Sequence, residues 1–339
     1  MADPQTTLHD LLAALRNSPA MLAKQAIGQA AAAQPSQGAS GDDLYALPGD
    51  DTAAIRCGDQ YQLLAIEGMI PAFVEQAPWF AGWSAVMANV SDITAMGGRA
   101  TAVVNAYWHH DQQATDSLLA GIRDACAAYG LIMAGGHTSL AASNPVALAV
   151  AITGWARNLL STLHVAPGQL IVMAVDLDGQ WHGNAPYWKA FENVPAARLR
   201  EKLEVIPRLA EAGLLLAAKD ISNAGILGTL LMLLEPTHCG ARVHLEALPI
   251  PVDTPMERWL QAFPSYGFLL TLERENLAAV EAAFAAQGIH CACIGEVDDS
   301  ARLQVIQGQE QVEFWNLASH AFTGFSYREF AHPVLLKEH

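Results

Sequence analysis

Residues 84–96 read as a helix that has to be buried, and that helix carries a carboxylate. Apolar residues at 85, 86, 90, 93 and 96 recur at helical spacing, and Gly97-Gly98 supplies a stop signal. Asn89 and Asp92 are three residues apart, so they share a face, with small Ala85, Ala88 and Ala95 around them. A buried carboxylate is unfavourable unless it is paired or bound to a metal. No Lys or Arg lies between Arg56 and Arg99, which leaves no local ion pair. The spacing therefore favours metal binding over a capping role for Asp92.

A second acidic group, Asp42, Asp43, Asp50 and Asp51, also has no Lys or Arg among its members. Such charges repel unless water or a cation neutralises them. An isolated acidic run is usually a solvated loop. Here Asp50-Asp51 follows Pro48-Gly49 and precedes Thr52-Ala53-Ala54-Ile55, which suits a carboxylate corner entering a strand. Mg²⁺ takes a few oxygen ligands and keeps several waters, so such a half-open corner suits it. The whole chain agrees with this acidic character. Its 18 Lys and Arg against 34 Asp and Glu give a net charge of −16, which argues against nucleic acid or an anionic membrane as the main partner. Phosphate ligands remain open through a bridging metal.

Of the 339 residues, 52 % are hydrophobic and 15 % charged, enough to build one large domain or two ordinary ones and to exclude wholesale disorder. The longest apolar stretch, 214–234, is broken by Lys219-Asp220 and Asn223, and the first residues lack the pattern of a secretory signal. Five scattered cysteines read as reduced thiols of a cytoplasmic protein.

Residues 1–40 form a helical arm, with Leu8, Leu11, Leu12 and Leu15 on one side, ending in a Ser/Gly/Gln/Pro-rich loop at 34–41. Strands are expected at 61–66, 101–107, 131–133 and 146–152, with helices at 84–96 and 115–129. The strand at 146–152 is apolar throughout, so burial on both faces is expected. Ala166-Pro167-Gly168 marks a boundary. Beyond it come strands at 170–175, 241–245, 266–272, 289–294 and 302–306, and helices near 196–212, 223–235 and 276–287. Two α+β domains, 41–160 and 165–320, with a tail at 321–339, account for this alternation.

Two further motifs carry possible chemistry. Ala134-Gly135-Gly136-His137-Thr138-Ser139 follows a strand, and its glycines let a ligand approach the backbone, although an ordinary turn has the same look. Lys219-Asp220-Ile221-Ser222-Asn223-Ala224-Gly225 precedes an apolar helix. Ser222 or Asn223 either caps that helix or leaves its N-terminus to a phosphate or substrate. His238, Cys239, His290, Cys291 and Cys293 match no common zinc spacing, and the cysteines read as core residues. Neither a P-loop nor a dinucleotide fingerprint is present.

In order, Gly49-Asp50-Asp51, Asn89-Val90-Ser91-Asp92 running to Gly97, Gly135-Gly136-His137-Thr138 and Asp220-Ile221-Ser222 resemble the aminoimidazole-ribonucleotide (AIR) synthetase superfamily over residues 40–320. Its members include thiamine-monophosphate kinase, selenophosphate synthetase and a hydrogenase maturation factor. The resemblance implies a two-domain α+β fold whose N-terminal mixed sheet pairs in a homodimer, with ATP and Mg²⁺ in a cleft. It places Asp50, Asp51, Glu67, Asp92 and Asp220 at the metal. Asn89, Asp92, Gly135, Gly136, Thr138 and Lys24 fall at the nucleotide. Ser222 and Asn223 fall at the substrate, and Asp220 and His137 in catalytic positions. Glu67 stands where relatives have Thr-Asp, His137 where thiamine-monophosphate kinases have an acid, and Asn223 where they have a second acid. Selenophosphate synthetases share Gly-Gly-His-Thr but need an early Cys beside a Lys, whereas the first cysteine here is Cys57. The chain thus looks like an uncharacterised relative.

The reading is a Mg²⁺-ATP-dependent phosphotransferase or synthetase that phosphorylates or activates a small-molecule acceptor. The alternative is a non-catalytic nucleotide-binding scaffold. Phosphoryl transfer depends on positioning and charge neutralisation more than on a dedicated nucleophile, and a ring of carboxylates holding metal supplies both.

Overall fold

The computed structural model describes residues 7–29, 44–46 and 48–326. The loop expected at 34–41, Asp42, Asp43 and the tail from 327 onward lie outside these residues. The chain builds two α+β units, each around its own sheet.

The N-terminal sheet has the order β1-β2-β3-β6-β4-β5. Its strands are β1 (Leu44–Ala46), β2 (Ala53–Cys57), β3 (Gln60–Met69), β4 (Arg99–His109), β5 (Ile132–Leu140) and β6 (Ala147–Ala156). Only β4 and β5 run parallel, and the other neighbours are antiparallel. After the short α3 (Pro71–Gln76), the helices α4 (Pro78–Ala95) and α5 (Gln112–Tyr129) cover one face. Trp83, Val86, Val90 and Ile93 of α4 meet Leu118 and Ile122 of α5 on one side and Val150 and Ile152 of β6 on the other. Buried on both flanks, α4 has no solvent stripe, which is why the sequence is apolar almost all round.

Two of the strand expectations are corrected. The strand expected at 131–133 runs from Ile132 to Leu140, so the Gly135-Gly136-His137-Thr138 motif lies inside an exposed edge strand and not in a turn after it. In β6 burial alternates strictly, because Ala147, Ala149, Ala151 and Thr153 point to an uncovered face. The same face exposes Leu64 at 50 %, Ile66 at 68 %, Val104 and Trp108.

The C-terminal sheet has the order β10-β13-β7-β14-β11-β15-β16. It is built from β7 (Leu170–Val175), β10 (Ala217–Asp220), β11 (Gly240–His244), β13 (Gly267–Leu272), β14 (His290–Asp298), β15 (Arg302–Gln307) and β16 (Glu310–Asn316). Between β7 and β13 a small side sheet forms from β8 (Gln180–Trp181), β9 (Tyr187–Lys189) and β12 (Phe263–Pro264). In β7, Ile171, Met173 and Val175 enter one core and Leu170, Val172 and Ala174 the other. The helices α6 (Ala196–Leu203), α7 (Val205–Glu211), α8 (Gly225–Leu234), α9 (Met256–Leu260) and α10 (Leu277–Ala285) complete this unit. β10, absent from the sequence expectations, is what places Lys219 and Asp220 on a strand.

Both outer segments of the described chain attach to this second unit. α1 (Leu8–Arg16) buries Leu8, Leu11, Leu12 and Leu15 in its core, and Arg16 Nη1 donates to Glu313 O at 3.0 Å. Ser18 then opens α2 (Pro19–Gln25), which carries Lys24. At the other end, the buried Glu235 carboxylate accepts from the backbone N–H groups of Phe322 (2.6 Å), Thr323 (2.8 Å) and Gly324 (3.1 Å).

The α4–α5 contact depends on glycine. A Cβ added at Gly121 would lie 1.9 Å from the Trp79 carbonyl oxygen, and one at Gly82 2.2 Å from that of Leu118. Both obstacles are backbone atoms, so the helices would have to separate. Gly121→Ala is expected to lower stability by about 1–3 kcal/mol despite the better helix propensity of alanine. Chemical denaturation checks this, and an unchanged midpoint would refute the close-contact account.

Candidate functional site

Carboxylates from both units converge on a cavity of about 220 Å³. Asp51 arrives from the corner before β2, Glu67 from β3, Asp92 from the last turn of α4, and Asp220 from the end of β10. Asp51, Asp92 and Asp220 each offer an oxygen within 4.8 Å of the others. Lys219 donates to Asp51 and, at 3.0 Å, to Gly49 O, and the Asp220 backbone N–H reaches Asp51 Oδ2 at 3.3 Å. Lys24, Ser222 and Asn223 stand on the same wall.

The electrostatics follow from this crowding. Burial first, then Asp220, Glu67 and Asp51, hold Asp92 well above the ordinary carboxylate range. Burial and Asp51 push Asp220 up to about 8. Burial raises Glu67 as well, with Lys24 opposing the rise. Burial works against the Lys219 ammonium, but Asp51, Asp220 and Asp50 outweigh it and keep Lys219 above the usual lysine value. One buried lysine leaves the three-carboxylate group short of positive charge. A hard divalent cation with carboxylate ligands fits that donor set. The buried Ser222 Oγ, which has no hydrogen-bond partner, adds one more oxygen at the wall.

Several expected site residues take other roles. Asp50 borders the cavity, but its carboxylate is engaged: Oδ2 accepts from Ser161 Oγ at 2.6 Å, and Oδ1 accepts from Thr162 N at 2.7 Å and Oγ1 at 2.6 Å. Asp50 thus braces the corner that aims Asp51 at the cavity. Asn89 is corrected from the nucleotide to the core, because its Nδ2 donates to Ala85 O (2.7 Å) and Val150 O (2.9 Å) and ties α4 to β6. Gly135, Gly136, His137 and Thr138 lie on edge strand β5, three strand spacings or about 14 Å from β3. None of them lines the cavity of its own chain. His137 instead packs beside Trp108, ring centroids 5.4 Å apart. Neither Ser222 nor Asn223 caps α8, whose N-cap is Ala224 without a side-chain bond. Sequence reasoning missed Ser161 and Thr162, the wall residues Thr323 and Phe325, and an aromatic pocket beside the cavity. Asp50 had the same local pattern as Asp51, and only its partners at 161 and 162 separate them.

A carboxyl raised on folding binds protons that the unfolded chain has already released. The metal-free fold therefore loses stability as pH climbs from the ordinary carboxylate range through the raised value. Asp92→Asn removes one of these charges, so without metal its melting temperature at about pH 8 should equal or exceed that of the wild type. Mg²⁺ has to displace protons, so its apparent affinity should rise from about pH 6 to about pH 8. Calorimetry across that range checks the second point, and a flat profile would contradict it.

Comparison with known proteins agrees with this architecture. Residues 49–156 match the family model "AIR synthase related protein, N-terminal domain", and residues 168–308 match its C-terminal counterpart. The uncharacterized protein sll0787 of Synechocystis sp. is 39 % identical over 320 residues, covering 94 % of this chain and 99 % of its own. Thiamine-monophosphate kinase of Buchnera aphidicola is 25 % identical over 294 residues, covering 78 % of this chain and 89 % of its own. Among solved structures, AaThiL complexed with AMPPCP and TMP superposes with a TM-score of 0.60 at 16 % identity, covering 79 % of this chain and 91 % of its own. With both domain models matched in order along the chain, the protein belongs to the AIR synthase related family.

Proposed function

We propose that the protein binds Mg²⁺-ATP in the cavity between its two units and uses it to phosphorylate or activate a small-molecule acceptor. The observation that carries this reading is the convergence of Asp51, Asp92 and Asp220 within 4.8 Å, drawn from both units. Asp51, Asp92 and Asp220 would hold the metal, with Glu67 beside them, and Lys24 and Lys219 would face phosphate oxygens. Bound Mg²⁺ bridges carboxylates to phosphates and offsets their charge. Relatives named thiamine-monophosphate kinase and a solved neighbour complexed with AMPPCP support the nucleotide.

In this reading Asp92 serves the metal, and Asp220 serves both metal and acceptor. Saturating Mg²⁺-ATP should stabilise the wild type by about 3 kcal/mol at a hundredfold excess over Kd, and ATP alone should not. Asp92→Asn should abolish that increment. Asp220→Ala should keep more of it yet lose acceptor-dependent ADP release. An undiminished Mg²⁺-ATP shift in Asp92→Asn would sink the assignment. Binding without ADP release across a broad acceptor panel would favour the scaffold alternative.

The same reading includes a homodimer built on the uncovered sheet face. Leu64, Ile66, Val104 and Trp108 stand on it with small Ala149 and Ala151 between them. Such a patch is too apolar to be left to water without a reason. Light scattering should give twice the monomer mass, and Ile66→Asp with Val104→Asp should give the monomer. A monomeric wild type at micromolar concentration would overturn the pairing.

A further inference from the structure

Next to the carboxylate cavity lies a second pocket, of about 60 Å³, with a different character. Its wall is made by Phe73 of α3, Phe80 of α4, Tyr187 of β9, Phe191 and Phe263. Glu67, Ala88, Asn223 and Phe263 belong to both walls, so the two spaces adjoin.

The aromatic wall is ordered by its own contacts. Phe73 meets Phe80 edge-on at 5.4 Å and Tyr187 at 5.2 Å, and Phe80 stacks on Phe191 at 6.0 Å. Phe191 is backed in turn by Trp83 at 4.6 Å with an interplanar angle of 20°. These faces and edges offer a small ring the offset and T-shaped geometries that aromatic groups prefer. Charge on the wall is the other half of the argument. Among the described residues, the one cation lining the pocket is Lys189, and Glu192 holds its Nζ at 2.6 Å. The same ammonium lies 5.6 Å from the Phe80 ring centroid. Among the described residues, a phosphate ester entering this pocket would find no unpaired cation on its lining and would face Glu67 at the mouth. Ser265 supplies a neutral handle, because its Oγ accepts from Ala190 N at 2.8 Å and keeps its own proton to donate.

We propose that this pocket selects the acceptor: a single aromatic ring without a phosphate, bearing a hydroxyl on a short tether that reaches the Glu67–Asn223 mouth. The proposal rests on the Mg²⁺-ATP reading of the adjoining cavity. In the transfer, the hydroxyl oxygen forms a bond to the γ-phosphorus and the bond from that phosphorus to the bridging oxygen breaks. ADP leaves with the electron pair, and the hydroxyl proton passes to water.

Ligand-observed NMR on the full chain tests this with benzyl alcohol, cyclohexylmethanol and benzyl phosphate, each with and without Mg²⁺-ATP. Benzyl alcohol should bind at least about tenfold more tightly than the other two. Half-buried Ser84 lines the pocket, so Ser84→Leu should fill it and weaken benzyl alcohol by about tenfold or more. Half-buried Phe73 forms part of the wall, and Phe73→Ala should weaken it by several-fold while the thermal shift with Mg²⁺-ATP stays as in the wild type. Should Ser84→Leu fail to fold, Phe73→Ala decides. Equal or tighter binding of benzyl phosphate or cyclohexylmethanol would overturn the proposal, as would benzyl alcohol binding unchanged in the folded variants. A missing Mg²⁺-ATP shift in the wild type would instead defeat the nucleotide reading, while the NMR signal reports on the ring pocket by itself.

Discussion

Asp92 lies in the last turn of a helix buried on both flanks, and its charge has to be answered from outside that helix. Around it stand three more carboxylates, Asp51, Glu67 and Asp220, and the Lys219 ammonium is already committed to Asp51. Like charges at this spacing are tolerated only with protons or a cation among them. The relative placement of the two sheets is what creates the problem: without β10, Asp220 would not reach α4, and without the corner before β2, Asp51 would not. The fold thus holds its two units in a relation that makes chemical sense with positive charge bound between them.

Much of the scaffold was legible because local pattern and burial agree. α4 and α5 follow from apolar residues at helical spacing and from the glycines at their ends, and β7 follows from a continuous apolar run that is covered on both sides. Where the pattern misled, a physical reason can be named. Gly135-Gly136 has the look of a turn, yet it sits within β5, where parallel pairing with β4 skips Ala134 and then runs on to Leu140. β6 is apolar at nearly every position but alternates in burial, since alanine is indifferent to which face it takes. β16 and the small side sheet went unread because their strands are polar or only two to three residues long.

The site was legible in its acids and illegible in their division of labour. Asp50 and Asp51 are adjacent and chemically identical, and the distinction is made by Ser161 and Thr162, more than a hundred residues away. Asn89 shares a helical face with Asp92, but one turn is enough to move its amide from the cavity to the Val150 carbonyl. The aromatic pocket draws on α3, α4, β9 and β12, segments that no periodicity links. Tertiary proximity of this kind leaves no trace in spacing along the chain.

Lys24 from the first segment and Thr323 and Phe325 from the last stand on the cavity wall, although neither segment adds a strand to either sheet. The Glu235 carboxylate gathers three successive N–H groups and so sets where the last segment runs, while the leucines of α1 do the same for the first. The sheets and the acidic group are bound to one another by buried contacts, whereas the cap residues are attached at a few anchor points and face the cavity. Substitutions in the cap can re-tailor what the cavity admits while the core stays as it is.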